Sequence, residues 1–195
     1  MVPLTPQGYP EDWDNVMWDG KLAVQWSYAR FGWVGLSLLG AGASTVAVLR
    51  LSEVFDPFNE LVRWLEAIAD DALPATLTIN EESCCKRLEV RRYAGRQAAY
   101  SDIEFRVTDL DWDAMELPDP ECRLLLRTTR VQLLDEFTRR LSAWLQHDYE
   151  PDGWWRINED DYDDPATLAE DRKRADLRQR LDLTGLLQRM QAGGV

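Results

Sequence analysis

Residues 56–68, with the sequence DPFNELVRWLEAI, carry the clearest structural signal in the chain. Asp56 is a favourable N-cap, and Pro57 would take the first helical position, where the N–H that proline lacks is not needed. The apolar residues then recur at the spacing of one helix face, namely Phe58, Leu61, Val62, Leu65 and Ile68. The stretch therefore predicts an amphipathic helix that ends before Pro74.

Short segments with strand-like alternation flank this helix on both sides. The expected strands are 22–28, 33–39, 46–51, 76–79, 87–91, 103–108 and 123–127. A second amphipathic helix, capped by Thr129, follows the last of them. Since consecutive hairpins dominate and strands do not alternate with helices, we expect an α+β fold. It would hold one antiparallel sheet of about six or seven strands, with the two helices packed on it.

Composition shifts divide the chain into four segments. Residues 1–20 are acidic and contain no base before Lys21, so we expect an irregular leader followed by the α+β domain at 21–150. Acids also dominate 151–164, which is typical of a linker. Asp164 and Pro165 then favour the start of one C-terminal helix within 165–195.

The charge balance excludes several classes of function. The 195 residues contain 22 bases and 35 acids, and their formal net charge is −13. This excludes direct binding of nucleic acid through phosphate neutralisation, and it disfavours docking on anionic lipid. No secretory signal or transmembrane stretch is visible. The three cysteines are odd in number, which is typical of reduced thiols, so we expect a cytoplasmic protein.

Residues suited to catalysis are scarce. The single histidine, His147, falls near the end of the second helix, where its interaction with the helix dipole explains it without catalysis. Lys86 and Arg87 follow Cys84 and Cys85 and would lower a thiol pKa. However, the cysteine spacing does not match a zinc site. We therefore expect no catalytic residue, no metal and no cofactor.

Tryptophan and acidic residues dominate what remains. Nine tryptophans are present. We expect Trp26 and Trp144 in the core, and Trp154 and Trp155 folded back onto the sheet or helices. Trp112 lies between two aspartates, where an aromatic anchor among carboxylates suits a basic partner as well as it suits local packing. The candidate partner-binding residues are Asp109, Asp111, Trp112, Asp113 and Glu116, with Asp160, Asp161, Asp163 and Asp164.

The order of elements also resembles a known class of protein. The run from Trp33-Val34-Gly35-Leu36 through Phe55-Asp56-Pro57-Phe58 to Leu73-Pro74-Ala75 is similar to small bacterial proteins without an assigned function. In size, acidity and strand–helix order, residues 20–150 resemble the immunity proteins encoded beside bacterial polymorphic toxins. The resemblance implies a cytoplasmic α+β protein that neutralises a toxin by binding it, and it assigns no individual residue.

These observations lead to a hypothesis of a non-enzymatic inhibitor that binds a basic protein, such as a toxin or nuclease domain. One alternative is a nucleic-acid mimic from a phage or mobile element that blocks a defence complex. Another is a subunit of a larger assembly, or an oligomer, held together through the C-terminal helix. Its contact residues would then be Leu177, Leu181, Leu187 and Met190.

Overall fold

The computed structural model describes residues 16–17, 22–39, 45–94, 101–111, 122–154 and 164–192 of the chain. These residues form strands and helices in the α+β arrangement, which confirms the predicted class. The strands are β1 Val16–Met17, β2 Ala23–Trp26, β3 Trp33–Leu39, β4 Thr45–Ser52, β5 Ala75–Asn80, β6 Cys85–Arg92, β7 Ile103–Leu110 and β8 Cys122–Thr128. The helices are α1 Phe58–Ala69, α2 Arg130–His147, α3 Pro151–Trp154, α4 Pro165–Ala175, α5 Leu177–Arg180 and α6 Leu183–Ala192.

The strands form two sheets, so the prediction of a single sheet is wrong. One sheet has the order β2-β3-β4, and the other has the order β1-β8-β7-β6-β5. All pairs are antiparallel except β1 and β8, which are parallel. The outer edge of β4 does not pair with β5 as a strand, and its backbone N–H at Arg50 donates to Oε1 of Glu81 at 2.7 Å. A carboxylate thus takes the position that a continuous sheet would give to a strand.

A single hydrophobic core joins both sheets to the helices. Alternate residues of β3 are fully buried, as the period of a half-buried strand requires, and these are Val34, Leu36 and Leu38. Trp26 and Trp144 are also buried, as predicted, with ring centroids 5.5 Å apart. Phe58, at the start of α1, stacks on Trp144 at 5.7 Å. The aromatic rings thus connect the first sheet to both long helices.

The two long helices begin close to their predicted positions. Thr129 caps α2 through a capping box with Gln132, as the sequence suggests. At α1 the N-cap is Pro57 rather than Asp56, which corrects the predicted start by one residue. Asp56 still contributes, because its Oδ1 accepts a hydrogen bond from the backbone N–H of Phe58 at 3.2 Å.

The C-terminal segment is not one helix but three. Asp176 ends α4 and caps α5, where its side chain accepts the backbone N–H of Arg178. Asp182 accepts the backbone N–H of Gly185 at 2.7 Å in the first turn of α6. Aspartate favours caps over helix interiors, which explains both breaks. Among the described helices, none combines the length and the hydropathy needed to cross a lipid bilayer.

Three of the four predicted contact residues in the C-terminal segment are buried in the chain's own core. Leu177 is fully buried and Leu181 is 9% exposed, and both belong to the chain's own core. They are therefore not available to a second chain in this structure, which corrects the expectation that they bind a partner. Met190 is also buried, whereas Leu187 is exposed on α6.

Candidate protein-binding surface

The first group of predicted acidic residues begins at the end of β7. Asp109 lies 2.7 Å from Nζ of Lys86 and 2.7 Å from Nε of Arg123. Burial alone would raise the pKa of the Asp109 carboxyl, but the hydrogen bonds and charges of Lys86 and Arg123 outweigh burial and lower it. Asp109 therefore joins strands β6, β7 and β8 instead of offering its charge to a partner. Asp111 is exposed.

The second group ends at α4. Asp164 caps this helix and accepts the backbone N–H groups of Ala166 and Thr167 at 3.0 and 3.3 Å. These hydrogen bonds lower the pKa of its carboxyl. Asp109 and Asp164 thus have structural functions on different elements. The other predicted residues, Trp112, Asp113, Glu116, Asp160, Asp161 and Asp163, lie outside the described ranges.

Trp154 lies in the core of the chain. Trp154 is fully buried, as predicted, and its ring meets Phe58 edge-on at 5.2 Å.

Burial and the neighbouring Glu81 raise the pKa of the Cys84 thiol, although Lys86 acts in the opposite direction. The lowering of a thiol pKa that Lys86 and Arg87 could cause is therefore not found at Cys84. In the part of the chain that the structure describes, no three potential metal ligands cluster.

The structure reveals an exposed apolar surface that the sequence reasoning did not single out. Four side chains form what we call the hairpin-tip patch. Tyr28 and Phe31 come from the connection between β2 and β3, and they are 71% and 63% exposed. Val54 and Phe55 come from a 3-10 turn, Glu53–Phe55, that follows β4, and they are 68% and 48% exposed.

Main-chain hydrogen bonds hold three segments together at this tip. Arg30 and Trp33 exchange bonds of 2.9 and 3.0 Å, which closes a two-residue turn at Phe31 and Gly32. The carbonyl of Gly32 accepts the N–H of Glu53 at 2.9 Å, so the 3-10 turn lies beside the hairpin. The N–H of Gly32 donates to the carbonyl of Gly153 in α3 at 3.1 Å. The tip is therefore a fixed platform.

Phe31 adopts an unfavourable backbone conformation in that turn. Its φ is 54° and that of Gly32 is 78°, the pattern of a type I′ turn. Glycine suits the second position, whereas the first normally takes asparagine or aspartate. The left-handed region is a clear outlier for a bulky residue. Because the ring is largely exposed, its own burial offers little compensation, and such strain is typical of residues retained for contact with a ligand.

Carboxylates border the patch. The side chain of Glu53 covers the turn so closely that a Cβ at Gly32 would lie 2.7 Å from its Oε1. Glu82 accepts a hydrogen bond from Oγ of Ser52, and Asp152 is an exposed residue next to Gly153. One base is also present, since the guanidinium of Arg30 lies 4.8 Å from the centre of the Phe31 ring. Charges of both signs therefore lie on or next to these segments, since Arg180 also pairs with Asp56, the residue after Phe55.

Comparison with known proteins adds no assignment. No protein-family model, curated protein or solved structure matches this chain. The resemblance to immunity proteins therefore stays a prediction.

One feature of the sequence indicates part of the hairpin-tip patch. The pair Phe31-Gly32 lies at a predicted turn, and a bulky aromatic residue is uncommon in a tight hairpin turn. The exposure of Val54 and Phe55 had no comparable sign in the sequence, because the strand before them contains both buried apolar residues, such as Leu51, and the exposed Val48.

Proposed function

We propose that this chain is a non-enzymatic binding protein that docks a basic partner protein on the hairpin-tip patch. The observation that supports the proposal is the exposure of four apolar side chains on two segments that the Gly32–Glu53 hydrogen bond joins, with Phe31 held in a left-handed turn. Monomeric proteins rarely expose neighbouring large apolar groups without a use for them.

The form of the patch favours a macromolecule over a small ligand. Small molecules bind in concave sites that enclose most of their surface. Here the side chains project from a hairpin turn and a 3-10 turn, and three of the four are more than 60% exposed. Projecting aromatic residues act as anchors that enter a pocket of the partner.

Electrostatics favour a basic partner. The formal net charge of −13 is large for 195 residues, and Glu53 and Asp152 lie on the segments that meet at Gly32. Complementary charge accelerates encounter and weakens as salt is added, since exposed charges are screened beyond about 8 Å at physiological ionic strength. The most specific form of the proposal is an immunity protein or inhibitor that covers a basic toxin or nuclease domain.

The test compares capture by matched surface variants. The tagged protein is incubated with native lysate at low and high salt, the captured proteins are identified, and the strongest basic one is purified for affinity measurement. The double variant Phe31→Asn/Val54→Ser should lose about 30-fold or more in affinity, the effect of removing an interface anchor worth about 2 kcal/mol. Val131→Ser is the control, because Val131 is similarly exposed at 45% but lies on α2.

Two results contradict the proposal. One is that no basic protein is recovered even at low salt. The other is that the double variant binds the purified partner as tightly as Val131→Ser does.

A further inference from the structure

A second surface lies between α1 and β5 and is lined by other residues than those of the hairpin-tip patch. It is a groove of about 550 Å³. Trp64 and Ala67 of α1 form one wall, and residues of β5 form the other, with Ala72 and Pro74 at one end. The volume lies within the range of about 300–1,000 Å³ that is usual for binding clefts.

The wall formed by β5 is the edge of a sheet, exposed at Thr76 and Thr78, while Glu81 just beyond the strand accepts the N–H of Arg50 in β4. In the order β1-β8-β7-β6-β5, β5 pairs with β6 alone. Glu81 donates its N–H to the carbonyl of Cys84 at 2.8 Å and closes the β5–β6 hairpin. Because hydrogen-bonded pairs alternate along an antiparallel ladder, the even-numbered residues Thr76 and Thr78 direct their N–H and C=O groups away from β6. Within the described residues, β5 has no second strand partner on that side.

Edge strands are usually protected against pairing with another chain. Charged residues, proline and β-bulges are the common devices. The strand Ala75–Asn80 reads ATLTIN and contains no charge and no proline, and its pairing with β6 shows no shift in register. Proline stands just before the strand, at Pro74. The central residues of β5 can therefore form main-chain hydrogen bonds with one more strand.

We propose that an extended segment of a partner protein adds to β5 as a further strand and lies in the groove beside α1. Its main chain would exchange hydrogen bonds with Thr76 and Thr78, and alternate side chains would enter the space beside Trp64 and Ala67. Addition of a strand to an exposed edge is an established mode of peptide recognition.

The dimensions favour a short segment over a second copy of this chain. Thr76 to Thr78 span roughly 7 Å at about 3.3 Å per residue, so these positions pair with only a few residues, whereas a stable interface between two proteins uses about 20–30 residues on each side. Two copies would also repel, because each has a formal net charge of −13.

The chemistry of the groove describes its occupant. Small side chains at Ala67 and Ala72 leave room for an apolar group. At the rim, Arg63 and Glu60 pair with each other at 3.7 Å, so the rim has no local net charge. The occupant is therefore an uncharged extended segment with apolar residues at alternate positions.

Two substitutions test the two parts of the site. Thr78→Pro removes the outward N–H, and proline is tolerated on an edge strand where that N–H faces solvent. Thr78→Ala is its matched control, because it changes the exposed side chain but keeps the N–H. Ala72→Trp fills the end of the groove from an exposed position outside the strand, so it tests the site without altering the backbone of β5.

The probe is a peptide selected against the whole protein from a library of random peptides about seven residues long, the usual length of a strand. We expect the best peptide to bind the original protein and Thr78→Ala alike. Thr78→Pro and Ala72→Trp should each weaken it by about tenfold or more. Amide hydrogen exchange at Thr76 and Thr78 should slow in the complex, and Phe31→Asn should leave the affinity unchanged.

Several results would overturn the inference. They are the absence of any binding peptide, equal binding by folded Thr78→Pro and Ala72→Trp, protection of amides on another element, and a dimer in light scattering that Thr78→Pro abolishes. The groove does not depend on the hairpin-tip patch. If Phe31→Asn abolished binding of the peptide and Thr78→Pro did not, the peptide would bind at the patch, and the inference about the groove would be wrong.

Discussion

Trp154 offers the sharpest test of the core. Its side chain is fully buried, and its ring contacts Phe58 edge-on at 5.2 Å. Trp154→Ala would lose this burial and leave a cavity, which costs about 3–5 kcal/mol for a large aromatic residue. Because a domain is stabilised by only about 5–15 kcal/mol in total, we expect this variant to be folded marginally or not at all.

Trp154→Phe provides the matched control. Within the described residues, the indole Nε1 of Trp154 is buried without a hydrogen-bond partner. A buried donor without a partner costs about 1–3 kcal/mol, and phenylalanine removes it while leaving a smaller void. We therefore expect the free energy of unfolding of Trp154→Phe to stay within about 1 kcal/mol of the original protein.

The measurement is urea unfolding followed by circular dichroism, with linear extrapolation to water. The reasoning is refuted if the free energy of unfolding of Trp154→Ala falls by less than about 1 kcal/mol. The removal of a fully buried aromatic side chain should lower stability by more than that. In that case the ring would be exposed in solution and would join the candidates for partner binding.

Three other changes give measurable results. Phe31→Asn relieves about 1–2 kcal/mol of left-handed strain and sacrifices roughly 0.5–1 kcal/mol of burial, so stability should stay within about 1 kcal/mol; a loss above about 2 kcal/mol in urea unfolding would contradict the exposed position of the ring. Burial raises the pKa of Tyr149 to about 12, above the ordinary 10.0. Its stabilising contribution is therefore complete below pH 10 and is lost as the pH rises towards 12. The stability of Tyr149→Phe should fall less steeply over that interval, and equal slopes would argue against a buried phenol. At Asp176, burial acts to raise the carboxyl pKa, but hydrogen bonds from Arg178 and Gln179 outweigh it and lower the pKa. Asp176→Ala should therefore cost about 1 kcal/mol at neutral pH, and the gap to the original protein should narrow as the pH falls through the depressed pKa; Asp176→Asn, which keeps a capping oxygen, is the control, and a gap independent of pH would reject this explanation.

Local signals predicted the helices well. The capping box at Thr129 and Gln132 is contained in four consecutive residues, so the sequence was sufficient to locate the start of α2. The aspartates that break the C-terminal segment were visible too. Their capping strength was underestimated beside the apolar spacing of Leu177 and Leu181, which the short helices still bury.

Long-range pairing was harder to predict. At the edge of β4, the N–H of Arg50 donates to the side chain of Glu81, 31 residues away. Asp109 looked like a surface acid, but its partner Lys86 is 23 residues distant. No local pattern reports such pairs, because they depend on the register of neighbouring strands.

The candidate surface was missed for a related reason. Hydropathy indicates which residues favour burial. It does not indicate which apolar residues lie in a turn that exposes them at the surface. Phe31, Phe55 and Phe58 have the same hydropathy, but Phe58 is fully buried and the other two are exposed. The difference arises only when the β2–β3 hairpin and the 3-10 turn meet at Gly32.

The position of α5 and α6 has a consequence for synthesis of the protein. Leu177, Leu186 and Met190 complete the same core as the first strands, and Arg189 reaches back to Asp70, 119 residues earlier. A nascent chain cannot close this core until these helices leave the ribosome. Until then the apolar faces of α1 and α2 lack part of their cover and are open to aggregation or to chaperones. Such distant contacts also slow folding, so the docking of α5 and α6 governs when this core becomes native.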